Sequence, residues 1–300
     1  MYNGIINVYK ERGYTSHDVV AKLRGISGQK KIGHTGTLDP EAEGVLPVCF
    51  GRATKVCELL TDRAKTYEAV LLLGKETDTQ DTTGTILKEC EVTATEAQIL
   101  DVVASFRGDI LQVPPMYSAL KHNGKKLYEL AREGKVIERK ARPVTIFSLN
   151  VLSMNLPYIT MEITCSKGTY IRTLCHDIGQ ALGCGGCMAK LCRTRVGEFS
   201  LDFALRLSQL QEAKDQGRFA DCLLSTDQLF LEYPKYCFTP EATTRADNGN
   251  ALFLSDFSKT PQVEEEPLLR VYNSNDLFYG IYELESEKLS YRPKKLLKEM

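Results

Sequence analysis

The residues of this chain best suited to chemistry lie between Lys31 and Lys55, in the stretch KIGHTGTLDPEAEGVLPVCFGRATK. Its first half, Gly33 to Gly44, packs three glycines, a histidine, a proline and three carboxylates into twelve residues. Glycine permits positive φ and close backbone approach, so this density predicts a shaped loop rather than a helix or strand. Asp39 precedes Pro40, whose ring disfavours the α region for the residue before it, so Asp39 is expected to be extended or in a turn. A carboxylate held on a stiff loop beside His34 could be a reacting group. The competing reading is an aspartate that caps its own turn.

The elements that must position this loop can be read on either side of it. Gly4 to Tyr9 is a short apolar run that predicts a strand. Ser16 is the expected N-cap of a helix carrying Val19, Val20 and Leu23 on one side. Lys22, Arg24, Lys30 and Lys31 lead into the loop, either as a solvated face or as phosphate contacts. After the loop, Val45 to Phe50 continues as a buried apolar segment. Lys65 to Gly74 alternates as a strand, with Tyr67, Ala69, Leu71 and Leu73 on one face. Tyr67 opens that apolar face, so on sequence alone the reading as a core tyrosine is favoured over a working one. The polar KETDTQDTTG that follows is rich in turn formers and holds Asp81. Thr95 to Phe106 is expected to be a scaffold helix with a Thr95–Gln98 capping box.

Tyr158 to Cys165 alternates as a strand, and Ser166 to Thr169 turns it into a helix with the stripe Ile171, Leu174, Ile178 and Leu182. Arg172 falls off that stripe in the helix's first turn. A cation there opposes the helix dipole at a cost of a few tenths to about 1 kcal/mol, so Arg172 calls for an anionic partner. Cys184, Cys187 and Cys192, with His176 nearby, have the outline of a zinc site. A structural zinc site needs four well-placed ligands, and the preferred reading of these is as buried or incidental thiols.

Composition limits the function classes. The chain is 300 residues, 43% hydrophobic and 26% charged, with no Trp and a net charge of −1. That length suits one large domain, or one large and one small. Its charge argues against a protein that coats nucleic acid indiscriminately, so any RNA binding must come from a local basic surface. From Lys121 to Arg142 there are eight Lys or Arg against three Glu, a net +5, interleaved with His122 and Tyr128 and preceded by Tyr117. Cations alternating with aromatics suit RNA. Ten cysteines are too dilute for a secreted disulfide scaffold. The N-terminal residues lack the apolar core of a signal peptide, and no run approaches the roughly 20 apolar residues of a membrane helix. A cytoplasmic protein with reduced thiols is expected.

The segment GHTGTLDPEAEGVLPVCFGRATK resembles the defining loop of the TruB-type tRNA pseudouridine synthases. Four more segments resemble that family in the same order: NGIINVYKERGYTSHDVV from Asn3, KTYEAVLLLGKETDTQDTTG from Lys65, VPPMYSALKHNGKKLYELAREG from Val113 and CSKGTYIRT from Cys165. The resemblance implies an α+β architecture, the pseudouridine synthase fold, in which helices flank a mixed, mainly antiparallel sheet. It implies a catalytic domain at 1–232 with a basic thumb insertion at about 115–142. Residues 233–300, where the acidic run Glu264 to Glu266 gives way to strands at Leu268 to Tyr272 and Leu277 to Glu283, then form a small C-terminal PUA-like β domain.

By the same resemblance Asp39 is the catalytic nucleophile, Arg172 its ion-pair partner and Tyr67 the aromatic face for the target base. Tyr170 and Leu191 line that site, Asp81 assists it, and His34 fills the space left by flipped bases. Lys55, Lys121 and Lys125 are expected on the RNA. Cys192 departs from the arginine often found after that leucine. The implied reaction is isomerisation of uridine in the T-loop of tRNA. It needs no redox change, cofactor or metal, which fits a chain without a nucleotide-binding fingerprint. Asp39 could attack ribose C1′ or uracil C6, or abstract a sugar proton to give a glycal. The implied protein is a monomer with no obligate protein partner. Competing readings are a related enzyme on another or guide-directed RNA, a non-catalytic RNA-binding or tRNA-folding protein, and a phosphate-binding metabolic enzyme. The last leaves the +5 insertion unexplained.

Overall fold

The computed structural model describes residues 1–298. Its strands, in chain order, begin with β1 (Gly4–Lys10), β2 (Ile32–His34), β3 (Glu43–Phe50), β4 (Lys65–Leu73), β5 (Lys75–Thr77) and β6 (Ile86–Glu89). They continue with β7 (Gly108–Gln112), β8 (Lys121–His122), β9 (Lys125–Lys126), β10 (Arg142–Asn155), β11 (Tyr158–Cys165), β12 (Gly186–Val196) and β13 (Phe199–Ser200). The last five are β14 (Lys235–Cys237), β15 (Leu252–Phe253), β16 (Leu268–Tyr272), β17 (Phe278–Glu285) and β18 (Ser290–Leu296). The helices are α1 (Ser16–Ser27), α2 (Cys57–Asp62), α3 (Glu96–Ser105), α4 (Leu127–Arg132), α5 (Ile171–Ala181), α6 (Leu207–Asp215) and α7 (Thr243–Asp247).

Nine strands form the main sheet in the order β1-β3-β12-β4-β11-β10-β7, with β2 added to β3 and β13 to β12. Only β3 and β12 run parallel, so the sheet is mixed and mainly antiparallel. The alternation along β4 and β11 has its physical reason in the core. Tyr67, Ala69, Leu71 and Leu73 meet Ile159, Met161, Ile163 and Cys165 on one face, and α3 and α5 cover them with Ile99, Val103, Leu174 and Ile178. Each such Leu or Ile contributes roughly 1.5–3 kcal/mol on burial. A single row crosses this sheet: Lys10, Gly44, Arg193, Tyr67, Ile163 and Leu149 are successive cross-strand partners.

The C-terminal sheet has the order β14-β16-β17-β18-β15. One side forms its own aromatic core around Phe238, Tyr279, Tyr282 and Tyr291. Tyr272, Phe278, Ile281 and Leu297 pack instead with Ile5, Val45 and Cys49 of the main sheet and with Val56 just after β3, so the two sheets share a core.

Local corrections to the sequence reading concern where polar groups were used. The N-cap of α1 is Thr15, not Ser16: the Thr15 hydroxyl accepts from the Asp18 amide and the Asp18 carboxylate accepts from the Thr15 amide. That frees Ser16, whose hydroxyl accepts from the Leu38 amide at 2.9 Å and donates to the Leu38 carbonyl at 3.3 Å. His34 ends a short strand paired with Val48, so the loop proper begins after it. The stretch after β4 is a hairpin of β5 and β6 rather than only a polar loop. Within the basic insertion, α4 spans only 6 residues behind the small β8–β9 hairpin.

Gly44 has φ +106°, and a Cβ there would lie 2.3 Å from the Arg193 carbonyl oxygen. Gly25, by contrast, sits inside α1 with nothing within 4 Å. Gly44→Ala should therefore lower stability by about 2–4 kcal/mol, and Gly25→Ala should raise it by about 0.5–1 kcal/mol. Urea-unfolding midpoints of the two variants against the parent chain check both signs.

Candidate functional site

Asp39 sits in the loop between β2 and β3, and Arg172 in the first turn of α5, two residues after the N-cap Tyr170. Arg172 Nε stands 2.9 Å from Asp39 Oδ2, with the arginine side chain 7% exposed and the aspartate 40%. The anionic partner that the helix dipole demanded of Arg172 is therefore Asp39, and Asp81 adds a second carboxylate at 3.8 Å. The other guanidinium donors are also used: Nη1 reaches the Thr79 carbonyl at 3.1 Å and Nη2 the Tyr117 carbonyl at 2.8 Å. One side chain thus joins the Asp39 loop, the loop after β5, and the start of the basic insertion.

Asp81 serves both readings offered for it. Its Oδ1 accepts from the Thr79 hydroxyl, the Thr83 amide and the Thr83 hydroxyl, which shapes the turn. Its Oδ2 faces Arg172. Burial pushes the Asp39 carboxyl above its ordinary value, the Arg172 guanidinium pulls it back, and the Asp81 carboxylate raises it again. The guanidinium therefore favours the ionised form against its surroundings.

Tyr67 is 7% exposed and packs with Leu38, Ala42 and Leu191, so its ring is a core ring and a site ring together. Burial raises its phenol pKa, and the neighbouring Arg193 opposes that rise. Tyr170 is half-buried at the mouth of α5, its backbone gripped on both sides by Gln112: Oε1 accepts from the Tyr170 amide at 2.7 Å and Nε2 donates to its carbonyl at 3.0 Å. His34 meets His17 edge to face at 5.6 Å between ring centroids. Burial, then His17, then Arg193 all push the His34 imidazole below its ordinary value, which favours the neutral ring.

The structure brings Asp39, Arg172, Asp81, Tyr67, Tyr170 and Leu191 together, with His34 at the start of the same loop. The three expected lysines stand apart from them. Lys55 donates to the Leu296 carbonyl at 3.0 Å and so faces the C-terminal sheet. Lys121 and Lys125 lie exposed on the β8–β9 hairpin, where Lys125 pairs with Glu133 at 3.2 Å. Cys184 and Cys187 are buried and Cys192 is half-buried, all three as free thiols.

Lys10 and Arg193 were missed from sequence. The Lys10 ammonium is fully buried and donates to the Pro40 carbonyl at 3.2 Å and to that of Ala42, bracing the Asp39 loop from β1. Arg193 donates to the Val45 carbonyl at 2.7 Å and the Gly36 carbonyl at 3.2 Å. The signal in both cases was a cation on a buried strand, which burial statistics disfavour unless it is used. A carboxylate held beside a guanidinium and flanked by an aromatic ring can act as a nucleophile or base on a flat, stackable substrate.

Comparison with known proteins gives this arrangement a context. Residues 24–171 match the model of the TruB family pseudouridylate synthase N-terminal domain, and residues 172–230 match that of the tRNA pseudouridylate synthase B C-terminal domain. Among curated relatives, the tRNA pseudouridine synthase B of Lachnoclostridium phytofermentans is 53% identical, over 98% of this chain and 99% of its own length. That of Clostridium acetobutylicum is 42% identical, over 95% and 96% respectively. A solved Cbf5-Nop10-Gar1 complex contains a chain that superposes with a TM-score of 0.72 at 27% identity, covering 98% of this chain and 84% of that one.

Burial lowers the Lys10 pKa from its ordinary 10.5 to about 8. The unfolded chain therefore holds a proton between those values that the folded chain has released, so this group's contribution to stability rises as pH climbs from about 8 toward 10.5. Lys10→Met should remove that rise and, by stranding the Pro40 and Ala42 carbonyls, cost about 1–3 kcal/mol at neutral pH. Denaturant melts of both proteins across this pH range test the sign and the size.

Proposed function

Because the chain belongs to the TruB family of pseudouridylate synthases, and so is a tRNA pseudouridine synthase, an isomerase, we propose that its target is the uridine at position 55 in the T-loop of tRNA. In this reading Asp39 is the nucleophile that opens the route to breaking the N1–C1′ bond, after which the uracil turns and rejoins through C5. The observation that carries the proposal is the 2.9 Å Asp39–Arg172 pair standing beside the buried ring of Tyr67. An aspartate with an ordinary pKa of about 3.9 is ionised at neutral pH. Burial beside a bound base works against that charge, and the guanidinium keeps it.

A uridine inside a folded loop must leave its stack before Asp39 can reach it. Unstacking costs a few kcal/mol, and a stacked aromatic face returns about 1–3 kcal/mol per base. Tyr67 supplies that face, Leu191 and Tyr170 flank it, and neutral His34 occupies the space the base leaves. The insertion at 115–142 closes over the T-arm with Lys121 and Lys125 on its outer hairpin. Tyr128 stands there between Lys126 and Arg132, each 5.4 Å from its ring centroid. The segment 233–300 is an appended β domain, and the enzyme acts in the cytoplasm as a single chain, without a metal or cofactor.

Tritium release from a T-arm stem-loop carrying 5-tritiated uridine tests the proposal, with the parent chain and Asp39→Asn at equal concentration. Release by the parent chain alone is expected. Equal release by both would remove Asp39 from the reaction, and retained RNA binding without release by either would favour a non-catalytic RNA-binding protein.

The role of Arg172 has its own signature. Its guanidinium is the largest influence lowering the Asp39 pKa, so in Arg172→Gln the carboxyl rises further and is protonated at higher pH. The acid limb of the single-turnover rate should shift upward, with a loss at about pH 6 that exceeds the loss at about pH 8. An unmoved limb would assign Arg172 to architecture alone.

A further inference from the structure

Among the described residues, Arg193 is the largest side chain that the fold buries all but completely. A guanidinium removed from water is costly unless a counter-charge or a full set of acceptors replaces its hydration. Among the described residues no carboxylate acts on Arg193; it donates to the Val45 and Gly36 carbonyls, and the Tyr67 phenol is the neighbouring group that favours its charge. Gly36 and Val45 bracket the loop that carries Asp39. Tyr67 is the ring on which the proposed reaction stacks its base. The sheet register fixes this geometry, because Arg193 lies directly opposite Gly44 on β3 and directly opposite Tyr67 on β4. The absence of a side chain at Gly44, where a Cβ would lie 2.3 Å from the Arg193 carbonyl oxygen, brings β3 and β12 close enough for the fork to reach both shoulders of the loop.

A methionine would fill the same volume without a charge. What arginine adds is a planar fork of donors in fixed directions, with no acceptor. Toward Tyr67, its cross-strand neighbour on β4, the guanidinium can therefore only offer an N–H. A phenol oxygen that takes it keeps its own O–H turned away from the guanidinium.

We propose that Arg193 is a positioning residue for isomerisation: it locks the Tyr67 ring and hydroxyl in one orientation relative to Asp39 by holding both from the same planar group. It touches neither substrate nor the reacting atoms. The inference rests on the reading of the site given under Proposed function, and the experiment separates the two.

The test is single-turnover conversion of the T-arm stem-loop, with RNA affinity measured by fluorescence anisotropy, for the parent chain, Arg193→Lys, Tyr67→Phe and the double variant. Arg193→Lys keeps a buried cation and loses the fork. It should slow the rate constant by about 10-fold or more while the RNA Kd stays within about 2-fold. If Arg193 acts through the Tyr67 hydroxyl, the double variant should lie within about 3-fold of Tyr67→Phe, because the two losses share one interaction. Losses that multiply in the double variant, or an Arg193→Lys defect seen only in thermal stability or Kd, would overturn the proposal. Should Arg193→Lys fail to fold, Tyr67→Phe decides alone: a slower rate at unchanged affinity supports it, and a parent-like rate sinks it. A parent chain inactive on this RNA would instead fail the reading of the substrate.

Discussion

The Arg172–Asp39 pair sets two charges in a place with little water, and much of the local structure follows from making that tolerable. Taking an ion out of water carries an effective penalty of several kcal/mol that its partners must offset, and Arg172 leaves none of its three nitrogens idle. Nε takes Asp39, Nη1 takes the Thr79 carbonyl with Asp81 beyond it, and Nη2 takes the Tyr117 carbonyl. The partners come from three segments far apart in sequence, so the hairpin after β4, the root of the basic insertion and the Asp39 loop must all arrive before the pair is satisfied. Asp81 makes its own contribution by spending one carboxylate oxygen on its turn and turning the other toward Arg172.

The second constraint is the loop itself. Residues 35–42 have neither helix nor strand to hold them, yet the nucleophile role proposed for Asp39 requires placement to within a fraction of an ångström. Side chains from outside the loop take over the work of secondary structure. Arg193 holds the Gly36 carbonyl, Ser16 holds both backbone groups of Leu38, and Lys10 holds the carbonyls of Pro40 and Ala42. The backbone is thus gripped at every second residue on either side of Asp39. Two of the three grips are buried cations, whose donors bind a carbonyl more strongly than a neutral donor would.

This division explains what could be read from the sequence. Patterns set by one strand or one helix were visible: the alternation of Tyr67 to Leu73, the stripe of α5, the capping box of Thr95, and the electrostatic demand of Arg172 for an anion. The family resemblance supplied the partner of that demand. What stayed hidden depends on residues meeting across the sheet. Lys10 reads as the polar end of β1 until Gly44 is seen opposite it, and Arg193 reads as one more cation in KLCRTR until Tyr67 is. Ser16 was assigned to a helix start because the equally good cap Thr15 stands beside it, and only the third dimension shows the loop that claims the serine. Gln112 carries no local signal for its two bonds to Tyr170, 58 residues away.

The charge distribution now has a geometric meaning. The chain carries a net −1 although residues 121–142 carry +5, so the remainder is distinctly acidic. Coulombic attraction between exposed charges fades within about 8 Å at physiological salt, so a basic segment can organise a polyanion only where it lies close by. The insertion meets that condition by construction, since its root, the Tyr117 carbonyl, is bonded to the arginine that holds Asp39. The site itself is not a basic trough: Asp39 and Asp81 outnumber Arg172, with the Lys10 charge set behind the loop. In the proposed reading, phosphates are attracted to the insertion and repelled from the carboxylates, while a neutral uracil face would meet Tyr67 without that penalty. An acidic centre with a basic insertion attached to its own ion pair has the charge layout that the proposed reading requires, in which backbone is separated from base so that one nucleobase of an RNA can react.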